Sequence, residues 1–496
     1  MAETVRITLH PLGRTIKAPA GASLQDLLFA YGVEFPCGGL GRCKGCRVRL
    51  LAGDAPAGPE DRRVLTTAEI DAGWRLACHL RPREDLALEI AQWETAVLSD
   101  ERRFAFRPRE GLGIAVDLGT TTVVAQGVDL ATGRVVAVRT ALNPQAAFGS
   151  DVMSRVECAL SGRDEGRLTA SIRACIGEMV TEIAGGAALV EVAVVGNTVM
   201  HHLFCGLDVE PLSHVPFQSK TEHGVAFLGG AFDWLPEGAR LRFLPCLGGF
   251  VGSDILAGIA ATGLHESAAP VCLIDLGTNG EIVVGNRERM LCASTAAGPA
   301  FEGGRISMGM RAATGAISQV RLGPEGLRCH VLGDVPPRGI CGSGLVDAVA
   351  AALELGVIAS NGRLPKGPWT VQAPVALTQE DVRQLQLAKA AVAAGVRVLL
   401  GRLGWTPGDI SRVHLAGAFG NYVSAETACR IGLLPFGEAV ISPAGNTALL
   451  GAKLALYEDA GDFALLGARI EHVALGQDPA FQDAFIEEMG FPATAG

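Results

Sequence analysis

The stretch G-L-G-I-A-V-D-L-G-T-T-T-V-V-A-Q-G-V-D-L at 111–130 reads as an apolar strand, a tight Gly-Thr loop and a second strand. The pattern returns as V-C-L-I-D-L-G-T-N-G-E-I-V-V-G at 271–285. The separation is far too long for a solenoid repeat, so the two copies predict two related lobes. The N–H groups of a Gly-Thr turn can cradle phosphate oxygens, and threonine hydroxyls add donors. An Asp at the end of a buried strand can hold Mg²⁺ through water. On this reading Asp117 and Asp275 are the catalytic carboxylates. Gly119, Thr120, Thr121 and Thr122, with Gly277, Thr278 and Asn279, bind the nucleotide, the triphosphate and its metal lying in the cleft between facing lobes. A lone copy would read equally well as an ordinary strand-end turn; the pair points to a nucleotide.

Working outward, R-V-H-L-A-G-A-F-G-N-Y at 412–422 is a strand entering a turn at Gly417 and Gly420, where a bare backbone can lie against adenine or ribose. Together the three elements resemble the superfamily of acetate and sugar kinases, heat-shock ATPases and actin. The resemblance implies a two-lobed α/β actin-like ATPase domain with duplicated lobes over about 111–475, a lobe boundary near 250–270 and a C-terminal tail at 476–496. In that family Asp117 to Thr122 would be the first phosphate loop, Asp275 to Asn279 the second, and Leu415 to Gly420 the adenosine segment. V-V-G-N-T at 194–198 and A-G-N-T-A-L-L-G-A at 444–452 look like the interlobe connections.

Toward the N-terminus, P-C-G-G-L-G-R-C-K-G-C at 36–46 places Cys37, Cys43 and Cys46 at C-x5-C-x2-C, with Cys78 alone in R-L-A-C-H-L. A [2Fe–2S] cluster takes four thiolates and tolerates one distant ligand. Structural zinc sites with four cysteines usually show two short knuckles, and only one is present, so the spacing favours iron–sulfur. Strands at 4–9 and 14–18, a helical stripe at 23–31 opened by Ser23, and short strands at 46–51 and 86–90 surround the loop. This order is similar to an α+β β-grasp ferredoxin domain covering 1–92. Residues 93–110 read as a linker that packs in part through Trp93, Phe104 and Phe106; it serves either relative motion or simple tethering. None of the nine other cysteines lies in a C-x-x-C, and they read as small buried hydrophobes.

Composition bounds the function. In 496 residues, 49% are hydrophobic and 19% charged, which excludes disorder of the whole chain. A net charge of −10 argues against nucleic acid as the main partner. No apolar run is long enough to span a membrane, and the start lacks a basic region followed by an apolar core, so no membrane contact, no signal peptide and a cytoplasmic location are expected.

The join is more telling than either part. A [2Fe–2S] domain fused to this ATPase resembles the reductive activators of corrinoid proteins, as do N-P-Q-A-A-F-G-S-D-V-M-S-R at 143–155, L-P-C-L-G-G-F-V-G-S-D at 244–254 and G-I-C-G-S-G-L-V-D-A at 339–348. The resemblance implies ATP-dependent return of a Co(II) corrinoid methyl-carrier protein to Co(I) in a methyltransferase system. It also implies an upstream electron donor and a homodimer. A one-electron gap of ~100 mV costs roughly 2.3 kcal/mol, which ATP would offset. Longer members carry an extra middle domain between ferredoxin and ATPase, where this chain has only 93–110. The alternatives are an ATP-dependent reductase for another low-potential protein acceptor, a redox-gated nucleotide switch without catalytic electron transfer, and a small-molecule kinase with an appended sensor.

Other features carry weaker expectations. His201 and His202 read as packing, Asp254 and Glu302 as groups that could touch metal or phosphate, and Ser343 as a helix cap. Residues 383–400 read as an amphipathic helix, and the resemblance to the kinase and actin superfamily implies that such a helix lines the nucleotide site through Lys389.

Overall fold

The computed structural model describes residues 4–10, 14–29, 31, 33, 41, 46–90, 107–149, 151–162, 164, 166–277, 279–313, 315–324, 326–333, 335–420 and 422–492. Cys37, Cys43, Thr278, Trp93, Phe104 and Phe106 lie outside these residues. The chain divides into two units, Met1–Ala261 with Thr447–Arg469 and Thr262–Asn446 with Ile470–Gly496.

The first unit opens with a five-stranded sheet. Strands β1 (Thr4–His10), β2 (Arg14–Pro19), β3 (Arg47–Ala52), β4 (Trp74–Leu76) and β5 (Leu86–Ile90) stand in the order β2-β1-β5-β3-β4. Val5, Ile7 and Leu9 alternate inward, the period expected of a half-buried strand. Helix α1 (Gln25–Phe29) lays Leu28 in the core, and Ser23 Oγ accepts from the Gln25 N–H at 3.3 Å. Two short helices, α2 (Pro59–Val64) and α3 (Thr67–Asp71), cross between β3 and β4. Asp61 fixes the first by accepting from the N–H groups of Gly58 at 2.8 Å and Leu76 at 2.7 Å. This is the β-grasp order.

The remainder of the first unit is built on six strands: β6 (Leu112–Leu118), β7 (Thr122–Asp129), β8 (Val135–Leu142), β9 (Leu189–Gly196), β10 (Val225–Leu228) and β11 (Arg240–Phe243), in the order β10-β11-β9-β6-β7-β8. Central β6 and β9 pair in parallel and are buried almost throughout, as parallel strands covered on both faces must be. Helices α4 (Val152–Leu160), α5 (Arg167–Ala184) and α6 (Thr198–Cys205) pack on this sheet. Helix α7 (Ser253–Thr262) carries the chain to the boundary at 261/262.

The second unit repeats the plan. Strands β12 (Val271–Leu276), β13 (Gly280–Gly285) and β14 (Met290–Thr295) form the antiparallel run that β6, β7 and β8 form in the first. A small sheet of β15 (Ala316–Gly323), β16 (Gly326–Val331) and β17 (Gly339–Ile340) follows, then helix α8 (Gly342–Glu354), a hairpin of β18 (Trp369–Gln372) and β19 (Val375–Leu377), and the 25-residue helix α9 (Gln379–Leu403). Thr378 and Asp381 close a capping box at the start of α9, and Gly404 ends it in the left-handed region. Strand β20 (Arg412–Ala416) pairs in parallel with β12 as β9 does with β6, and β21 (Ile441–Gly445) pairs in parallel with β20. The full order is β21-β20-β12-β13-β14-β22, with β22 at Ile470–His472. The duplication expected from the two Asp-Leu-Gly-Thr stretches is a duplication of topology.

Helix α10 (Thr447–Ala455) begins just after the second boundary and belongs to the first unit, where Gly451 crosses α7. A Cβ on Gly451 would lie 2.2 Å from the Ala257 carbonyl oxygen, so only glycine permits the crossing. Two expectations need correcting. V-V-G-N-T at 194–198 does not connect the units: it is the end of β9 and the N-cap of α6, within the first unit, and α7 makes that connection. The segment read as a tail forms α11 (Pro479–Glu487), which packs on α9.

Candidate functional site

In each unit an Asp near the end of a central strand leads into a hairpin. Asp117 is the penultimate residue of β6, opposite Val195 of β9 and Val124 of β7. Asp275 is the penultimate residue of β12, opposite Ala416 of β20 and Glu281 of β13. Each loop closes on its own glycine, but with a different span: the Gly119 N–H donates to the Thr122 carbonyl three residues on and the Gly277 N–H to the Asn279 carbonyl two residues on, each at 3.0 Å. A Cβ on Gly119 would lie 2.6 Å from the Thr122 carbonyl oxygen, which explains glycine at that turn.

The first loop rests on residues whose role the sequence reading left unassigned. Asn143 Nδ2 donates to the Gly119 carbonyl at 2.9 Å, Arg155 Nη2 to the Thr120 carbonyl at 2.6 Å and Asn197 Nδ2 to Thr120 Oγ1 at 3.0 Å. Their only signal in the sequence is that each lies in a stretch, 143–155 or 194–198, quoted above for a resemblance.

In the second unit the turn that follows β20 lies directly against the second loop. Gly417, at φ +82°, abuts the Asp275 carboxylate, and Phe419 stacks on Phe301 with ring centroids 4.4 Å apart. Phe301 immediately precedes Glu302 in the turn at Pro299–Glu302. Gly420 is buried under Leu415.

Two further expectations, those for Lys389 and Ser343, are revised. Lys389 is committed elsewhere in its own unit: it is buried under the C-terminal segment, where Nζ donates to the Gly490 carbonyl at 2.8 Å. Ser343 is not the cap of α8, which starts from Cys341; Ser343 Oγ instead donates to the Ser318 carbonyl at 2.9 Å. His201 and His202 are both buried; burial holds each imidazole below its ordinary pKa, His201 down to about 3, so both are neutral packing groups. Asp254 lies in the first turn of α7, where its Oδ1 accepts from the Ile255 N–H at 2.9 Å.

In the β-grasp domain the Cys46 and Cys78 sulfurs are 3.3 Å apart and nine-tenths or more buried, 1% and 3% exposed. Two thiolates on one tetrahedral metal at about 2.3 Å stand about 3.8 Å apart, so this pair fits one iron of a cluster after a small rotation. Gly41, at φ +59°, packs between His79 and Glu60, and its carbonyl accepts from Arg63 Nη2 at 3.0 Å. Of the other cysteines, Cys205, Cys246, Cys272, Cys341 and Cys429 have thiols that burial pushes up, which makes them inert rather than ligating. Among the described residues no helix is long and apolar enough to cross a membrane.

A β-grasp domain with facing buried thiols, joined to two lobes of one actin-like plan, defines a ferredoxin fused to an actin-like ATPase. Comparison with known proteins agrees: residues 7–83 match the 2Fe-2S iron-sulfur cluster binding domain, 112–267 the RACo middle region and 269–496 the C-terminal ASKHA domain of RACo. The corrinoid activation enzyme RamQ of Eubacterium limosum is 35% identical over 413 residues, covering 75% of this chain and 69% of that one. The [Co(II) methylated amine-specific corrinoid protein] reductase of Methanosarcina barkeri is 27% identical over 419 residues, covering 76% and 77%. A solved structure of a reductive activator for a corrinoid, iron-sulfur protein superposes with a TM-score of 0.70 at 26% identity, over 99% of each chain. The chain belongs to the family of corrinoid activation enzymes. What that family calls its middle region is present here as the first lobe, which corrects the expectation of a missing middle domain.

Proposed function

We propose that the chain couples ATP hydrolysis to one-electron reduction of a corrinoid protein, returning Co(II) to Co(I) in a methyltransferase system. The observation that carries the reading is the join of a ferredoxin domain to an ASKHA domain in a chain 35% identical to a corrinoid activation enzyme. The balance is simple: one electron leaves this chain and is taken up by Co(II), while ATP and water give ADP and phosphate. A low-potential one-electron donor upstream restores the chain.

Cys37, Cys43, Cys46 and Cys78 hold the [2Fe–2S] cluster, which supplies single electrons at low potential when bound. The Asp117 and Asp275 carboxylates, one in each unit, are of a kind that would hold Mg²⁺ through water, the loops at 117–122 and 275–279 would each take phosphate, and Gly417 and Gly420 would let backbone lie against the adenosine. The transfer is uphill, so ATP acts by changing the chain's relative affinity for the Co(II) and Co(I) forms of its partner; a ligand shifts an equilibrium only by such a difference.

The test is spectroscopic. The reconstituted protein is reduced anaerobically, a Co(II) corrinoid protein is added, and the Co(I) absorption is followed with and without ATP. Co(I) accumulation that depends on ATP, and that Asp117→Ala abolishes, is expected. Equal Co(I) formation without ATP, or full ATP-dependent reduction by Asp117→Ala, overturns the reading.

A further inference from the structure

Three carbonyls at the tip of the first loop are claimed from one side. The Gly119 oxygen accepts from Asn143 Nδ2 at 2.9 Å, the Thr120 oxygen from Arg155 Nη2 at 2.6 Å and the Thr121 oxygen from the Asn143 N–H at 2.9 Å. A trans peptide is planar, so each N–H points opposite to the carbonyl it shares. The N–H groups of Thr120 and Thr121 therefore face away from Asn143 and Arg155. Thr120 Oγ1 already accepts from Asn197 Nδ2, which leaves the hydroxyl proton to be donated elsewhere. Both amide orientations are set by caps: Asn143 Oδ1 accepts from the Gln145 N–H and Asn197 Oδ1 from the Met200 N–H, each at 3.0 Å.

Arg155 is wholly buried, at 0% exposure. Its remaining partners are neutral: the Gly149 carbonyl at 3.0 Å from Nε, and Gln145 Oε1 at 3.3 Å and Met200 Sδ at 3.5 Å from Nη1. Among the described residues no carboxylate pairs with it, and Asp151 acts on it only through space. Burial lowers its pKa to about 10, so it keeps its charge at neutral pH. A buried cation with neutral partners is costly. Placed one peptide behind a loop whose N–H groups face the other way, that charge has a use only if an anion binds in front.

We propose that Arg155 is a positioning residue for the nucleotide: with Asn143 it locks the Thr120 and Thr121 peptides with their N–H groups outward and draws phosphate onto them. The inference rests on the reading that the 117–122 loop takes the phosphates of ATP. Arg155 itself does not touch the nucleotide.

The experiment uses the full chain with its cluster reconstituted and compares binding of ATP with binding of adenosine, which has no phosphate. Arg155→Gln is expected to weaken ATP about ten- to hundred-fold and leave adenosine within about twofold. In turnover the loss should fall mainly on KM for ATP. Arg155→Lys, which keeps the charge but not the fork, should recover part of it. Asn143→Asp removes no volume, repels the Gly119 carbonyl and pulls the guanidinium from Thr120; it should weaken ATP similarly, and decides the matter if Arg155→Gln does not fold. Unchanged ATP affinity in Arg155→Gln or in Asn143→Asp, or a parallel loss of ATP and adenosine, overturns the inference. An unmodified chain that binds adenosine but gains nothing from its phosphates overturns the assignment of the loop itself, a different failure.

Discussion

Gly417 stands so close to Asp275 that a Cβ on it would lie 2.4 Å from the carboxylate Oδ1 and 2.6 Å from the Leu276 carbonyl oxygen. Two segments far apart in sequence therefore form one surface in the second unit, held by parallel pairing of Asp275 with Ala416. Gly417→Ala must displace the carboxylate and also pay for a left-handed φ of +82°. The expected result is an ATPase kcat/KM reduced at least about tenfold, the size of one misplaced charged contact, with a thermal midpoint lowered by only about 2–4 °C. Steady-state hydrolysis and a melting curve check it; wild-type hydrolysis in this variant would remove Asp275 from the site.

The facing sulfurs of Cys46 and Cys78 make a separable prediction. Cys78→Ser replaces a soft thiolate with a hard, weakly acidic hydroxyl and should lose most of the bound iron and the visible absorption after reconstitution. ATP affinity should stay within about twofold, because the phosphate-loop and adenosine-segment residues all lie beyond residue 110. Iron analysis and nucleotide titration on one preparation decide it. Full cluster content in Cys78→Ser would break the ligand assignment.

Buried Glu191 ties the start of the first lobe to the end of α10. It meets Arg109 Nη2 at 2.6 Å, Arg240 Nη2 at 3.0 Å and Arg242 Nε at 2.5 Å, while Arg109 and Arg242 also donate to the Leu456 and Ala455 carbonyls. Burial pushes the Glu191 carboxyl upward, but the Arg242 charge and the hydrogen bonds from Arg109 and Arg240 outweigh it, so its pKa lies below the ordinary value of 4.5. The stability it contributes is therefore complete above that ordinary value and is lost as pH falls through the lower folded one. Glu191→Gln strands the buried Arg242 charge and should cost about 3–5 kcal/mol at neutral pH. Urea unfolding at pH 7 measures it, and a cost under about 1 kcal/mol would mean the cluster relaxes into water.

The local elements of the candidate site were legible in the sequence. The strand-loop-strand stretches around Asp117 and Asp275, the turn at Gly417 and the cysteine spacing stand out because each is a pattern of residue types within a few positions, and the proposed chemistry rests on them. Partners recruited across the fold were not. Asn143, Arg155 and Asn197 reach the first loop from 24, 35 and 77 positions away, and no local period marks a side chain that bonds a distant carbonyl. Lys389 misled for the same reason: a lysine on a helix looks free to meet a phosphate until α11 and the Gly490 carbonyl cover it. V-V-G-N-T at 194–198 misled because a Gly-Asn-Thr run caps a helix as readily as it joins two lobes.

Asp347 gives the second unit a dependence on pH opposite in sign to that of Glu191. It is buried on α8, with Oδ1 accepting from Thr427 Oγ1 at 2.7 Å and Oδ2 from the Val320 N–H at 3.2 Å. Burial raises its pKa from the ordinary 3.8 to about 6; the Thr427 and Val320 bonds and the Arg321 charge oppose the rise, and Glu426 adds to it. The folded state then holds a proton that the unfolded chain has lost. Stability from this group falls as pH climbs from 3.8 to about 6 and is constant on either side. A shift of that size corresponds to about 3 kcal/mol. Asp347→Asn removes the titration at small cost, since the Thr427 hydroxyl can turn from donor to acceptor against the new amide while the amide oxygen keeps the Val320 N–H. The variant should therefore gain up to about 3 kcal/mol relative to the unmodified chain between pH 4 and pH 7, read as the difference between their urea unfolding free energies at each pH. Parallel stability curves for the two proteins would show that Asp347 titrates near its ordinary value and that the burial of its carboxyl is relieved in solution.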